Sequence, residues 1–275
     1  MKKVWLLLSC LLACLTTTAI PGGAEVKIVI RGTGDSQNLL RSLATGYQKS
    51  QPAVSIEVPD SIGSSGGGIK ATAAGKCQLG RVSRPLSKKE KALNLSYLFF
   101  ARSPVVFLAN TSVSAVKGIT DEQAAAIFSG AITHWSAVGG PHERIYVDNR
   151  EKGDSSLTVI ETHIPAFKVM KKQAGQTLYS TQENITTIGG HRQTIGYANQ
   201  AEAAHQPGLL VLRLNGVSPG RKNVDKGAYK LVSLLGLAWK DGPGPAAQGF
   251  LNFLHSSQAE EIIMEHGAFP ALGKE

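Results

Sequence analysis

The chain has 275 residues, 42% of them hydrophobic and 18% charged, with no block of like charges; this excludes a disordered or tail-driven protein and allows a core large enough to divide in two. The formal charge of +9 invites an anionic partner. The basic residues are scattered and aromatics make up only 6%, without the aromatic and basic interleaving of a nucleic-acid binder, so a small anion fits better than a polymer.

The first 24 residues stand apart. Lys2 and Lys3 precede the apolar run Val4 to Leu15, and small residues follow up to "PGGAE". That is the layout of a secretory signal peptide cleaved before Glu25, and the run is too short for the roughly 20 residues of a membrane-spanning helix. "LLAC", from Leu11 to Cys14, offers a competing lipoprotein reading with Cys14 acylated. Cleavage before Glu25 removes Lys2, Lys3, Cys10 and Cys14, so the charge falls from +9 by two to +7. Only Cys77 remains, and an internal disulfide is impossible.

"EVKIVIRG" alternates like a strand and ends in glycine. The following segment places Leu39, Leu40, Leu43, Ala44 and Tyr47 on one helical face. The unit repeats: "VSIEVPDSIG" is a strand, the serine and glycine segment its turn, and "GGGIKATAAGK" begins a helix. "YLFFARSPVVFLAN" predicts two buried strands broken by Pro104. "TDEQAAAIFSG" predicts a helix with a capping box from Thr120 to Gln123 and a C-terminal glycine at Gly130. A third strand and turn lie in "RIYVDNREKGDSS", with a helix from about Ser155. "QTIGYAN" and "GLLVLRL" read as strands, and "AAQGFLNFLHSSQAEEIIMEHG" as one long amphipathic helix. Alternating strands and helices predict an α/β sheet architecture.

Three turns could carry chemistry: Gly32 to Ser36, Gly63 to Gly68 and Gly153 to Ser156. The nucleotide motifs fail. Ile69 stands where a P-loop needs lysine, and Gln37 replaces the third glycine of a dinucleotide fingerprint. Each turn nevertheless leads from a strand into a helix through small residues. A helix N-terminus offers unpaired N–H groups and positive potential, so three such ends in one cleft, with Arg84 and Arg150 nearby, could hold a tetrahedral oxyanion without a metal. The bland alternative makes Ser36, Ser64 and Asp154 ordinary N-caps. The histidines lack metal-ligand spacing, Cys77 reads as a small buried hydrophobe, and the sequence implies no cofactor. Ser64, His191 and Asp154 could be arranged on paper as a hydrolytic group, but "GSSGG" is not the GxSxG elbow.

In order and spacing, "IRGTGDSQNLLRSLATGYQ", "SIGSSGGGIKA", "GRVSRPLSKKE", "GITDEQAAAIFSGAITHWSAVGGP", "VDNREKGD" and "FLNFLHSSQAEEIIMEHGAFP" resemble the phosphate-binding periplasmic proteins of ABC transporters. The resemblance covers nearly all of the chain after residue 24. It implies a type II periplasmic-binding-protein fold, with two α/β lobes, an enclosed ligand and two crossing segments, here near Arg102 to Val106 and Ala228 to Leu231. The expected organisation is a signal peptide at 1–24, lobe I at 25–104 and 229–275, and lobe II at 105–228. The implied protein is no enzyme. It is an exported, monomeric receptor that captures phosphate or a related oxyanion and delivers it to a membrane permease.

By position, the family's first loop falls on Thr33, Gly34 and Asp35, its second on Ser64 and Ser65, and its second-lobe group on Arg150, Asp154, Ser155 and Ser156. Departures follow. Gly34 and Asp35 stand where many relatives have threonines, Asp154 brings a carboxylate to the second-lobe loop, and Arg84 occupies the place of an aspartate that accepts the proton of hydrogen phosphate. Three readings stay open: Asp35 or Asp154 takes over as acceptor with Arg84 balancing the charge; the pocket serves a zwitterionic or larger ligand; or both aspartates are caps facing away. A two-lobed sensor and a secreted phosphate-ester hydrolase are the functional rivals.

Overall fold

The computed structural model describes residues 25–60, 63–240 and 242–271; the expected signal peptide and Cys14 lie outside them. In chain order the described elements are β1 (Val26–Gly32), α1 (Gln37–Ser50), β2 (Val54–Glu57), α2 (Ser65–Ala73), β3 (Leu79–Val82), α3 (Lys88–Lys91), β4 (Ser96–Asn110), β5 (Gly118–Ile119), α4 (Asp121–Ser129), β6 (Tyr146–Arg150), α5 (Ser155–His163) and α6 (Pro165–Lys168). There follow β7 (Gln176–Leu178), α7 (Thr181–Gly190), β8 (Thr194–Asn199), α8 (Gln200–Ala203), β9 (Leu209–Val211), β10 (Arg213–Leu214), α9 (Arg221–Asp225), β11 (Val232–Trp239), α10 (Pro245–Phe253), α11 (Ser257–Glu265) and β12 (Phe269–Pro270). None of the described helices is long and apolar enough to cross a membrane.

The mixed α/β architecture matches the alternation of strand and helix patterns. β1 runs parallel to β2 and β3, and β6 runs parallel to β7 and β8. Antiparallel β11 and β4 join these groups, so the sheet order is β2-β1-β3-β11-β4-β8-β6-β7. Within each group the C-terminal ends, and the loops leaving them, point one way, and the three antiparallel pairings between the groups make them run in opposite directions; ligands of open α/β sheets bind at such C-terminal ends.

Two apolar clusters flank this arrangement. One gathers Ile28, Ile30, Leu39, Leu43, Leu79, Leu237, Phe250 and Ile263; the other gathers Val105, Phe107, Phe128, Trp135, Ile160, Ile195 and Tyr197. β4 belongs to both, giving Phe100 and Ala101 to the first and Val105 to Ala109 to the second. The returning chain runs beside it. Val105 N donates to Leu231 O at 2.8 Å, and Tyr229 Oη donates to Val105 O at 2.8 Å.

The structure corrects three sequence expectations. Pro104 does not divide β4. Val105 N faces Leu231, so the nitrogen at position 104 faces the other edge, between β12 pairing at Arg102 and β8 pairing from Val105. A missing N–H in that gap breaks no ladder bond. The expected long C-terminal helix is two helices, α10 and α11, because the Ser256 side chain accepts from Ala259 N and starts a new helix while the apolar period continues. "GLLVLRL" forms two short strands, β9 and β10, which pair with β4 and β5 respectively. The helix α4 has the expected capping box at Thr120 and Gln123, and Gly130 closes it at φ 82°.

Gly68 shows one use of the glycine run. A Cβ there would lie 2.8 Å from Arg81 O, 2.9 Å from Arg31 O and 2.9 Å from Gly32 Cα. Only glycine lets α2 settle this closely on β1 and β3. Gly68→Ala is expected to lower stability by about 1–3 kcal/mol despite alanine's better helix propensity, because all three obstructions are backbone. Urea unfolding checks this, and an unchanged midpoint would refute the packing role.

Candidate functional site

The loops leaving β1, β2, β3 and β6 meet. Thr33 opens a 3-10 turn at Gly34–Ser36 that leads into α1, and its hydroxyl accepts from Asp35 N at 3.3 Å. Ser65 is the first residue of α2 and Ser155 the first of α5, and their hydroxyls lie 3.1 Å apart. Ser156 Oγ lies 3.3 Å from both carboxyl oxygens of Asp35. Three helical N-termini, from distant parts of the chain, therefore converge on one buried group in which Asp35 is 1% and Arg150 5% exposed. The positive ends of the peptide dipoles face one another there, an arrangement that an anion would relieve.

Arg150, at the end of β6, supplies the formal charge. Its Nη1 donates to Thr181 Oγ1 at 3.0 Å, its Nη2 lies 3.2 Å from Asp154 Oδ2 and from Glu151 Oε2, and its backbone N–H donates to Tyr197 Oη at 3.1 Å. Thr181 begins α7, so a fourth helix orients the guanidinium. Asp154 does two things: its Oδ1 caps α5 through Leu157 N at 2.9 Å, and its other oxygen pairs with Arg150. The carboxylate is thus satisfied internally, although burial raises its pKa.

Asp35 differs. Burial, then the nearby Asp154 charge, pushes its pKa up to about 8, against the lowering pull of Arg150. A carboxyl that stays protonated near neutrality donates a hydrogen bond instead of repelling an anion. Of the reading that makes both aspartates caps facing away, Asp154 shows only the capping part, since its other oxygen faces Arg150. That reading does not describe Asp35, which faces Ser156.

The predicted residues Thr33, Gly34, Asp35, Ser65, Arg150, Asp154, Ser155 and Ser156 are all buried in this region. Ser64, partly buried, precedes α2 without a side-chain capping bond. Arg84 is not brought into the group. Glu90 holds it in a two-armed pair, at 2.8 Å from Nη1 and 2.9 Å from Nη2, and it also donates to Pro85 O. This pairing drops the Glu90 pKa to about 2 and accounts for both charges. His191 lies toward the other end of β6, beside Asp148, rather than with Ser64 and Asp154, so the paper triad does not assemble.

Sequence reading missed three contributors, Ser83, Arg81 and Glu202, and it read a fourth residue, Ser36, as the N-cap of α1. Ser83 N donates to Ser65 Oγ at 3.0 Å, and the Ser83 hydroxyl reaches Asp35. The fully buried Ser36 hydroxyl has no partner and makes no capping bond to α1. Arg81, fully buried behind the first turn, donates to Gly32 O at 3.1 Å and Pro59 O at 3.2 Å, and burial lowers its pKa to about 10. Glu202 reaches α1 from 164 residues away. Ser83 adjoins Arg84, which was named from sequence, whereas nothing local marks Arg81 or Glu202.

A family model described as a PBP superfamily domain matches residues 18–258. Among curated relatives, a phosphate-binding protein PstS from Borreliella burgdorferi is 25% identical, over 97% of this chain and 98% of its own. A phosphate-binding protein PstS from Bacillus subtilis is 26% identical, over 90% of this chain and 81% of its own. Among solved structures, a putative phosphate ABC transporter substrate-binding protein with bound phosphate from Clostridium perfringens has the same fold. Its TM-score is 0.77 at 23% identity, covering 90% of this chain and all of that one.

Proposed function

The chain belongs to the PBP superfamily, and on that premise we propose that it is an extracytoplasmic substrate-binding protein that captures phosphate for an ABC transporter. The relatives named for phosphate binding span nearly its whole length, and a fold neighbour carries bound phosphate. The observation that carries the reading is the convergence of three helix N-termini beside Arg150. Such a group supplies many directed donors and one buried cation to an ion with four acceptor oxygens.

In this reading residues 25–104 with 229–275 form one lobe and 105–228 the other. The lobes hinge at the paired segments around Val105 and Leu231. Thr33, Gly34, Asp35, Ser64 and Ser65 contribute from the first lobe, together with Ser36 and Ser83. Arg150, Asp154, Ser155 and Ser156 contribute from the second. Arg84, its charge answered by Glu90, makes no direct bond to the ligand in this reading. Contacts from both lobes favour the closed state, which a permease then recognises. The protein performs no chemistry on its ligand. Export through a signal peptide at 1–24 delivers the protein; acylation at Cys14 is the alternative to cleavage before Glu25, which removes that cysteine.

Thermal unfolding in increasing inorganic phosphate tests the function, because a ligand of the native state alone raises Tm with concentration. We expect a dose-dependent rise with phosphate and a smaller one with sulfate, molybdate or organic phosphonates. No rise with phosphate at any concentration would refute the reading.

A further inference from the structure

Glu202 lies in α8, fully buried, at the beginning of α1. Its two oxygens each accept from Asn38 N at 3.0 Å, and Oε1 also accepts from Leu39 N at 3.4 Å. Gln182 Nε2, from α7, donates to Oε2 at 2.6 Å, and Asn38 Nδ2 donates to Gln182 Oε1 at 3.1 Å. Asn38 and Leu39 are the second and third residues of this 14-residue helix. Their N–H groups are the ones an N-cap side chain ordinarily satisfies. Ser36 stands at the N-cap position and does not do so; its buried hydroxyl has no partner.

We propose that Glu202 is a resident anion that caps α1 in place of Ser36 and makes the binding site discriminate against doubly charged oxyanions. The proposal rests on the oxyanion reading given above. The dipole of α1 is already answered by a carboxylate, so an incoming ion gains less from that helix than from α2 or α5. Glu202 is close enough to act on Asp35 electrostatically, so a negative ligand beside Asp35 feels the same charge. A dianion in a poorly screened site pays about twice the repulsion of a monoanion.

The charged and titratable groups around Glu202 are Arg81 from β3, Asp35 from the turn ahead of α1 and, behind Ala201, His266 after α11. α7 presents the neutral Gln182, α1 its backbone, and β4 the Ser103 hydroxyl to Ala201 N. Burial pushes the Glu202 pKa up to about 7, although the bonds to Asn38, Leu39 and Gln182 pull it down. The group is therefore neutral below that pH and charged above it.

The test is calorimetric titration with inorganic phosphate at pH 5.5 to 8.5 for the wild type, Glu202→Gln and Gln182→Leu. The ratio of variant to wild-type affinity removes what the two proteins share and leaves the repulsion between Glu202 and the ligand, which grows as either of them ionises. For Glu202→Gln we expect a ratio near one at pH 5.5, rising to about tenfold tighter binding by pH 8.5. Gln182→Leu removes one donor to the carboxylate, so the wild-type loss of affinity should move to higher pH; this variant decides the matter if Glu202→Gln does not fold. A ratio that is independent of pH, with no shift in Gln182→Leu, overturns the role of Glu202 while phosphate binding itself survives. Absence of phosphate binding by the wild type at every pH overturns the oxyanion reading instead.

Discussion

Arg150→Ala is expected to weaken phosphate binding on the order of 100-fold, equivalent to about 2.7 kcal/mol. Arg150 is the formal cation at the meeting point of the helix N-termini, and a buried charge-assisted contact contributes more than any neutral donor beside it. The substitution also strips Asp154 of its partner, since the pair at 3.2 Å lies in a region where both side chains are about 5% exposed. Asp154 then stays as an unpaired charge that repels the ligand, or takes up a proton and offsets part of the loss; in both cases the buried cation is gone. Arg150→Lys keeps the charge but cannot reach Thr181, Glu151 and Asp154 together, and should recover only part of the loss. Titration calorimetry measures all three proteins. An Arg150→Ala affinity within threefold of the wild type would remove Arg150 from the site.

Asp35→Asn should abolish a large part of the pH dependence of stability. The folded chain holds this carboxyl protonated up to about pH 8, whereas the unfolded chain ionises it near its ordinary value of 3.8. Between those values the folded state binds the extra proton, so stability is complete below about pH 4 and is lost progressively as pH rises toward 8. Asparagine mimics the neutral acid at every pH. The variant should match the wild type near pH 4 and exceed it by a few kcal/mol at pH 8.5. Asp154 and Glu202 also have raised pKa values and contribute slopes of the same sign. The difference between wild type and variant isolates Asp35. Urea unfolding across this range checks the expectation, and parallel stability curves would show that Asp35 ionises normally in the folded chain.

The parts of this molecule that were legible in sequence are those written locally. The alternation in "EVKIVIRG", the face formed by Leu39, Leu40, Leu43 and Tyr47, and the capping box at Thr120 each depend on residues within one or two turns. The three turns rich in small residues were legible for the same reason, because small residues between a strand and a helix are a local pattern. What escaped depends on partners far along the chain. Pro104 looks like a strand breaker until the gap between β12 and β8 is known. Arg84 is the local exception, since its two-armed pair with Glu90 lies only six residues on and still was not read. The Asp35 proton depends on burial and on Asp154, and the capping of α1 depends on Glu202, both more than a hundred residues away.

The continuous course of β4 sets how the polypeptide can be cut. One ribbon of 15 residues is hydrogen-bonded to β11 as far as Pro104 and to β8 from Val105. A cut between Pro104 and Val105 would sever this ribbon and the bonds that tie Val105 to Tyr229 and Leu231, while each stretch of β4 keeps its own sheet partner. Transplanting a new specificity into this scaffold is therefore a matter of rewriting loops, with the shared ribbon carried over intact.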